Sequence, residues 1–139
     1  MIDRVLVPID GSEMSEHALE YALASYPDAE ITVLHVVGGP SPMGAKATGL
    51  ALADNLEEAA EKQAKEIFDS AREIAKEYDS EIETNVALGH PARAIINRAE
   101  EYDTVVIGSH GGTIAERLFV GNVAEKVFHR SPVPVVTVR

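Results

Sequence analysis

The sequence predicts an α/β fold: a mostly parallel sheet with right-handed crossovers and helices on both faces. Three observations carry that prediction. Short β-branched runs alternate with helical periods or long connections along the whole chain. The helical stretches repeat their apolar residues at threes and fours, the period of a helix with one buried face. Finally, 139 residues with a hydrophobic fraction of 45% fit one domain, expected over residues 1–139. A chain of this length buries roughly 70% of its unfolded surface without needing a disulfide or structural metal.

The first strand is the run Ile2–Ile9, stopped by the turn cluster Asp10-Gly11-Ser12. Ser12 or Ser15 caps the helix that follows, in which Met14, Ala18, Leu19, Ala22 and Tyr26 keep a helical period until Pro27-Asp28. Ile31–Val37 is a second buried strand, and Gly38–Gly44 a long punctuated loop. From Asp54 to Tyr78, apolar residues recur at Leu56, Ala60, Ala64, Ile67, Ala71 and Ile74, which makes a long amphipathic helix. Its outer face offers the i,i+4 pairs Glu58 with Lys62 and Glu61 with Lys65. Ile82–Leu88 alternates, with Ile82, Thr84, Val86 and Leu88 on one face, and reads as an edge strand with a wet side. Gly89-His90-Pro91 turns into a helix with Pro91 at its first position. Asp103–Ile107 lacks alternation and is expected to be buried on both faces. Asn122–Arg130 is a short helix ended by Pro132, and Val133–Val138 a fifth strand.

Charge excludes several functions. With 23 acidic against 12 basic side chains the net charge is −11, and no Lys/Arg cluster exists to displace counterions from nucleic acid or to sit on an anionic membrane. No run approaches the roughly 20 apolar residues of a membrane span. The start Met1-Ile2-Asp3-Arg4 lacks a signal peptide, so a cytoplasmic location is expected. The acids form a solvated face or reflect a salty interior that screens self-repulsion. Zero cysteines exclude a thiolate nucleophile and a thiolate zinc site.

Open α/β sheets bind ligands beyond the carboxyl ends of their strands, where strand order reverses. Two strand ends suit that role: Pro8-Ile9-Asp10-Gly11-Ser12 after the first strand and Gly108-Ser109-His110-Gly111-Gly112 after the fourth. A carboxylate facing a glycine-rich loop fits a nucleotide, the acid meeting base or ribose and the glycines letting backbone N–H groups reach phosphates. Gly121, directly before the last helix, adds a helix start as a second anion-binding element. Asp10 also has a plain alternative as the cap of its turn, and the glycines as tight-turn residues. His110 is the one side chain beside this loop suited to general-base work, but no catalytic residue is assigned. The histidines His17, His35, His90 and His129 have no ligand-like spacing, and no intrinsic metal site is expected. Three other motifs fail. Gly108, Gly111 and Gly112 do not make GxGxxG, Ala45 breaks the P-loop imitation Gly39–Lys46, and Leu88-Gly89-His90 lacks the Asp of a phospho-receiver.

The spacing Gly108-x2-Gly111-x9-Gly121, with Val5–Ser12, Leu34-His35-Val36, Gly89-His90-Pro91 and Pro132–Val135 in the same order, closely resembles the universal stress protein family over the whole chain. The resemblance implies an open five-stranded parallel sheet of order 3-2-1-4-5, with the first and fourth strands side by side. It further implies ATP or a related adenine nucleotide held by Pro8, Asp10, Val36, Ile107, Gly108, Gly111, Gly121, Asn122, Val123 and Ala124. Mg²⁺ would arrive with a triphosphate. Asn122 and Ala124 stand where nucleotide-binding relatives usually carry hydroxyl residues. The terminal strand, apolar and β-branched, is implied to pair with its twin in a homodimer. The expected function is a dimeric, adenine-nucleotide-binding sensor or regulator of a stress response, possessing at most a slow ATPase activity and acting on an unidentified regulatory protein partner. The alternative is a dimeric stress-linked interaction protein that has lost nucleotide binding.

Overall fold

The computed structural model describes residues 1–37, 53–109 and 123–139, without the side chains of 53–60. In chain order the elements are β1 (Arg4–Pro8), α1 (Glu13–Ser25), β2 (Glu30–Val37), α2 (Ala53–Glu77), β3 (Ile82–Leu88), α3 (Pro91–Ala99), β4 (Thr104–Gly108), α4 (123–130) and β5 (Val135–Val138). The five strands form one sheet of order β3-β2-β1-β4-β5, parallel throughout. This is the strand order implied by the resemblance.

Side-chain alternation splits the core in two. Val5, Val7, Ile31, Val33 and Val106 point to the face covered by α1 and α2, where Leu19, Leu23, Phe68 and Ala71 meet them. Leu6, Leu34, Val105 and Ile107 point to the opposite face, against Ile95 and Ala99 of α3 and Val127 of α4. A strand buried on both sides cannot alternate apolar with polar, which is why β1, β2 and β4 read as continuous runs.

Local chemistry sets most boundaries. Ser12 caps α1, its Oγ accepting the Ser15 N–H at 3.2 Å. Pro91 opens α3 after His90. At the end of α2, Ser80 N–H donates to Ala75 O and Asp79 N–H to Lys76 O, each at 3.0 Å, with Asp79 at φ 53°. That pair of bonds is a Schellman stop, made here without glycine. β5 begins two residues later than expected. Val133 and Pro134 lie outside the strand, but Pro134 O accepts the Val105 N–H at 3.0 Å and the Thr104 hydroxyl at 2.7 Å.

Two expectations are corrected. β3 is an edge strand, but its exposure does not follow the expected faces: Val86 is 45% and Leu88 80% exposed while Ala87 is buried. Among the described side chains α2 meets the first half of the strand, where Ile82 packs on the core and Arg72 reaches Thr84 at 3.3 Å. Ala87 instead turns toward Ala92 and Ile95 of α3. On α2, Lys65 pairs with Asp69 at 3.2 Å rather than with Glu61. Asp69 is shared with Arg72, also at 3.2 Å, so one carboxylate serves two cations. The Glu58 side chain lies outside the described residues.

The amino-terminal end of the sheet is tied by Asp103. Its Oδ2 accepts the N–H groups of Asp3 at 2.8 Å and Arg4 at 2.9 Å, and its own N–H donates to Arg4 O at 2.8 Å. Arg4 donates to Glu101 O at 2.7 Å and lies over the Tyr102 ring at 4.7 Å. The backbone donors of Asp3 and then Arg4 hold the Asp103 carboxyl below its ordinary value of 3.8. A depressed carboxyl adds stability that is fully present above the unfolded value and is lost as pH falls through the folded one. Asp103→Asn is therefore expected to be less stable than the parent at neutral pH and to converge with it as the pH falls through the depressed folded value. Thermal melts of both proteins across that range check this, and parallel curves would refute it.

Candidate functional site

The strand order reverses at β1, which pairs with β2 over all five residues from Arg4 to Pro8 but with β4 only at Val5–Thr104 and Leu6–Val105. Beyond that short ladder the carboxyl ends of β1 and β4 flank a cleft of about 210 Å³. A sheet that winds in both directions from one strand leaves its loops diverging there, which is the general reason ligands sit at such points.

One wall is the β1–α1 turn. Ile9 N–H donates to Leu34 O at 2.8 Å, which keeps the chain on the sheet one residue past β1. Asp10 then closes an Asx turn, its Oδ1 accepting the Ser12 N–H at 2.9 Å. Gly11 follows at φ +84°, a left-handed conformation that permits the sharp entry into α1, and an added Cβ would meet Ile67 of α2 at 3.3 Å. Asp10 is exposed, and its Oδ2 has no partner among the described residues. The turn-capping role thus leaves a second acceptor oxygen on the same carboxylate.

The other walls are apolar. Leu34 and Val36 come from β2, Ile107 and Gly108 from β4, Ile95 from α3, and Val123 and Ala124 from α4. Asp10 is the one charged side chain in the described lining. Such a slot suits a flat, weakly polar ring, with a carboxylate at its edge to accept hydrogen bonds from hydroxyl or amino groups.

Of the expected site residues, Pro8, Asp10, Val36, Ile107, Gly108, Val123 and Ala124 converge on this cleft. Gly111, Gly121 and Asn122 lie outside the described residues, as do His110 and the Gly39–Lys46 segment. Gly108 has a structural task besides lining the cleft: a Cβ there would lie 2.9 Å from Met14 Cγ and 3.1 Å from Met14 O. Ser12, Ser15, His35 and Ile95 also line the cleft and were not anticipated. Ile95 was legible, since it stands one helical turn after Pro91. The two serines read only as caps, and His35 only as a member of an apolar strand. Among the described residues no group of three or more His, Asp or Glu side chains is placed to hold a metal, and no helix is long and apolar enough to cross a membrane.

Comparison with known proteins agrees with this fold. The model of the universal stress protein family matches residues 1–139. Universal stress protein YxiE of Bacillus subtilis is 34% identical over 148 residues, covering all of both chains. A crystal structure of a universal stress protein in complex with cAMP is 29% identical, with a TM-score of 0.71 over 99% of this chain and 97% of that one. The structure of universal stress protein UspA from Lactobacillus plantarum shares the fold at a TM-score of 0.79 and 24% identity, covering 99% of this chain and 98% of that one.

Proposed function

Because the chain belongs to the universal stress protein family, we propose that it binds an adenine nucleotide in the β1/β4 cleft and acts as a homodimeric, cytoplasmic sensor or regulator of a stress response. The observation that carries the reading is the cleft itself: apolar walls from Val36, Ile107 and Val123 for the base, and the exposed carboxylate of Asp10 for amino or hydroxyl groups. The relative crystallised with cAMP, 29% identical, supports adenine as the ring.

In this reading Pro8, Asp10 and Val36 hold the base and ribose end, and Ile107 and Gly108 form the floor. Gly111, Gly121, Asn122, Val123 and Ala124 surround the ribose and phosphates. Asn122 supplies an amide in place of a hydroxyl, and Ala124 supplies only a methyl. A monophosphate or cyclic monophosphate therefore suits the site better than ATP with Mg²⁺. β5 offers the unpaired edge for the homodimer, with Val135, Val136 and Val138 all part-buried. Signalling would run through a regulatory protein partner. A second reading, a dimeric interaction protein without nucleotide, is favoured by Ala124, which lines the cleft with no polar atom on its side chain.

Calorimetric titration with AMP, cAMP and ATP–Mg²⁺ tests the proposal. Saturable binding is expected, and Asp10→Ala should weaken it by at least about tenfold, the size of a hydrogen bond to a charged group. If none of the three binds at millimolar concentration, the second reading stands. Light scattering of the same samples checks the dimer, and a monomer would remove that half of the proposal.

A further inference from the structure

The peptide joining Ile9 to Asp10 is held from both sides by buried polar side chains. Its carbonyl, Ile9 O, lies 3.0 Å from His35 Nδ1. A carbonyl only accepts, so Nδ1 carries the proton there. Its N–H, that of Asp10, donates to Ser15 Oγ at 3.4 Å. The Ser15 hydroxyl proton is spent on Ser12 O at 2.8 Å, which leaves a lone pair for Asp10. His35 is 8% and Ser15 6% exposed. The imidazole is set edge-on against Phe68 of α2, with ring centroids 6.5 Å apart and planes at 90°, so packing fixes the ring that fixes the carbonyl.

We propose that His35 and Ser15 are positioning residues for ligand binding: together they fix the plane of the Ile9–Asp10 peptide and thereby aim the Asp10 carboxylate into the cleft. The inference rests on the reading of that cleft as the nucleotide site. Asp10 follows the clamped peptide directly, and its Asx bond to Ser12 N–H fixes one carboxylate oxygen while the other has no partner among the described residues. Releasing the Ile9 carbonyl would free rotation of the peptide plane, and the Asp10 carboxylate would lose its fixed direction. The clamp also joins α2 to the site, since Phe68, His35, Ile9 and Asp10 form one line of contacts.

The test pairs two substitutions at one position. His35→Phe keeps a ring against Phe68 and removes the donor, and should weaken AMP binding about five- to tenfold. His35→Asn returns an N–H near the Nδ1 position and should recover affinity to within about threefold of the parent. In an Asp10→Ala background, His35→Phe should cost nothing more, because the effect passes through Asp10. A phenylalanine variant that binds AMP like the parent, or a loss of equal size in the Asp10→Ala background, overturns the proposal. A readout without nucleotide separates its failure from that of the nucleotide reading. Imidazole nitrogen shifts should show His35 protonated at Nδ1, with slow exchange of the Asp10 amide. An Nε2-protonated ring overturns the clamp whatever binds. An Nδ1-protonated ring in a protein that ignores AMP keeps the clamp and removes the nucleotide.

Discussion

Gly108→Ala is expected to lower stability by about 1–3 kcal/mol, the usual cost of forcing an extra carbon into a packed contact. In a domain of this size that lowers the melting temperature by roughly 3–10 °C. Gly108 ends β4 directly beneath the first turn of α1, where an added Cβ would lie 2.9 Å from Met14 Cγ, 3.1 Å from Met14 O and 3.2 Å from Met14 C. The side-chain atom can move aside, but the two backbone atoms move only with the helix. Met14→Ala in the same protein should therefore recover part of the loss and not all of it. A glycine needed solely to let a ligand approach would behave differently: Gly108→Ala would melt like the parent and lose only binding. Melts of the two single variants and the double variant, with no ligand present, distinguish these cases.

Thr32→Val is expected to act in the opposite direction, raising stability by about 1–2 kcal/mol. Thr32 lies in the middle of β2, paired in register with Leu6 on one side and Glu83 on the other, and is fully buried. Its Oγ1 is the one buried side-chain polar atom among the described residues with no hydrogen-bond partner. Valine keeps the β-branched shape that suits a strand while removing a hydroxyl that gave up water for nothing. Thr32→Ser provides the contrast, since it keeps the hydroxyl and loses a packed methyl, and should be about 1 kcal/mol less stable than the parent. Urea denaturation of the three proteins reads both effects. A valine variant weaker than the parent would mean that the hydroxyl has a stabilising partner in solution.

Much of the architecture was legible because the rules that shape it are local. Continuous β-branched runs marked strands covered on both faces, Ser12 and Pro91 marked helix starts, and the two strand ends with turn clusters marked the cleft. What escaped depends on tertiary neighbours. The two faces of β3 alternate as expected, Ile82 toward α2 and Ala87 toward α3, but exposure does not follow them, because no residue in the strand says which neighbours cover it. Lys65 meets Asp69 and not Glu61, and Asp69 also meets Arg72 a turn further on, a shared arrangement that i,i+4 spacing alone does not specify. His35 sat in an apolar run and read as core; only the fold reveals that its ring nitrogen meets Ile9 O across twenty-six positions of sequence. The double duty of Gly108 was hidden in the same way, since a glycine at a strand end reads alike whether a ligand or a helix approaches it.

The tie that Asp103 makes at the amino end of the sheet has a mechanical consequence. There β1 and β4 are joined by the Asp103 bonds to Asp3 and Arg4 and by the Arg4 bond to Glu101 O, while toward the cleft their ladder stops at Leu6 and Val105. The pair is fastened like a clothes-peg, at one end only. Opening of the cleft is therefore expected to proceed by splaying about that fastened end, with the rungs at Val5 and Leu6 kept closed. Amide protons of Arg4 and Asp103 should accordingly outlast those near the mouth in deuterium exchange, and a guest should slow the second group without touching the first.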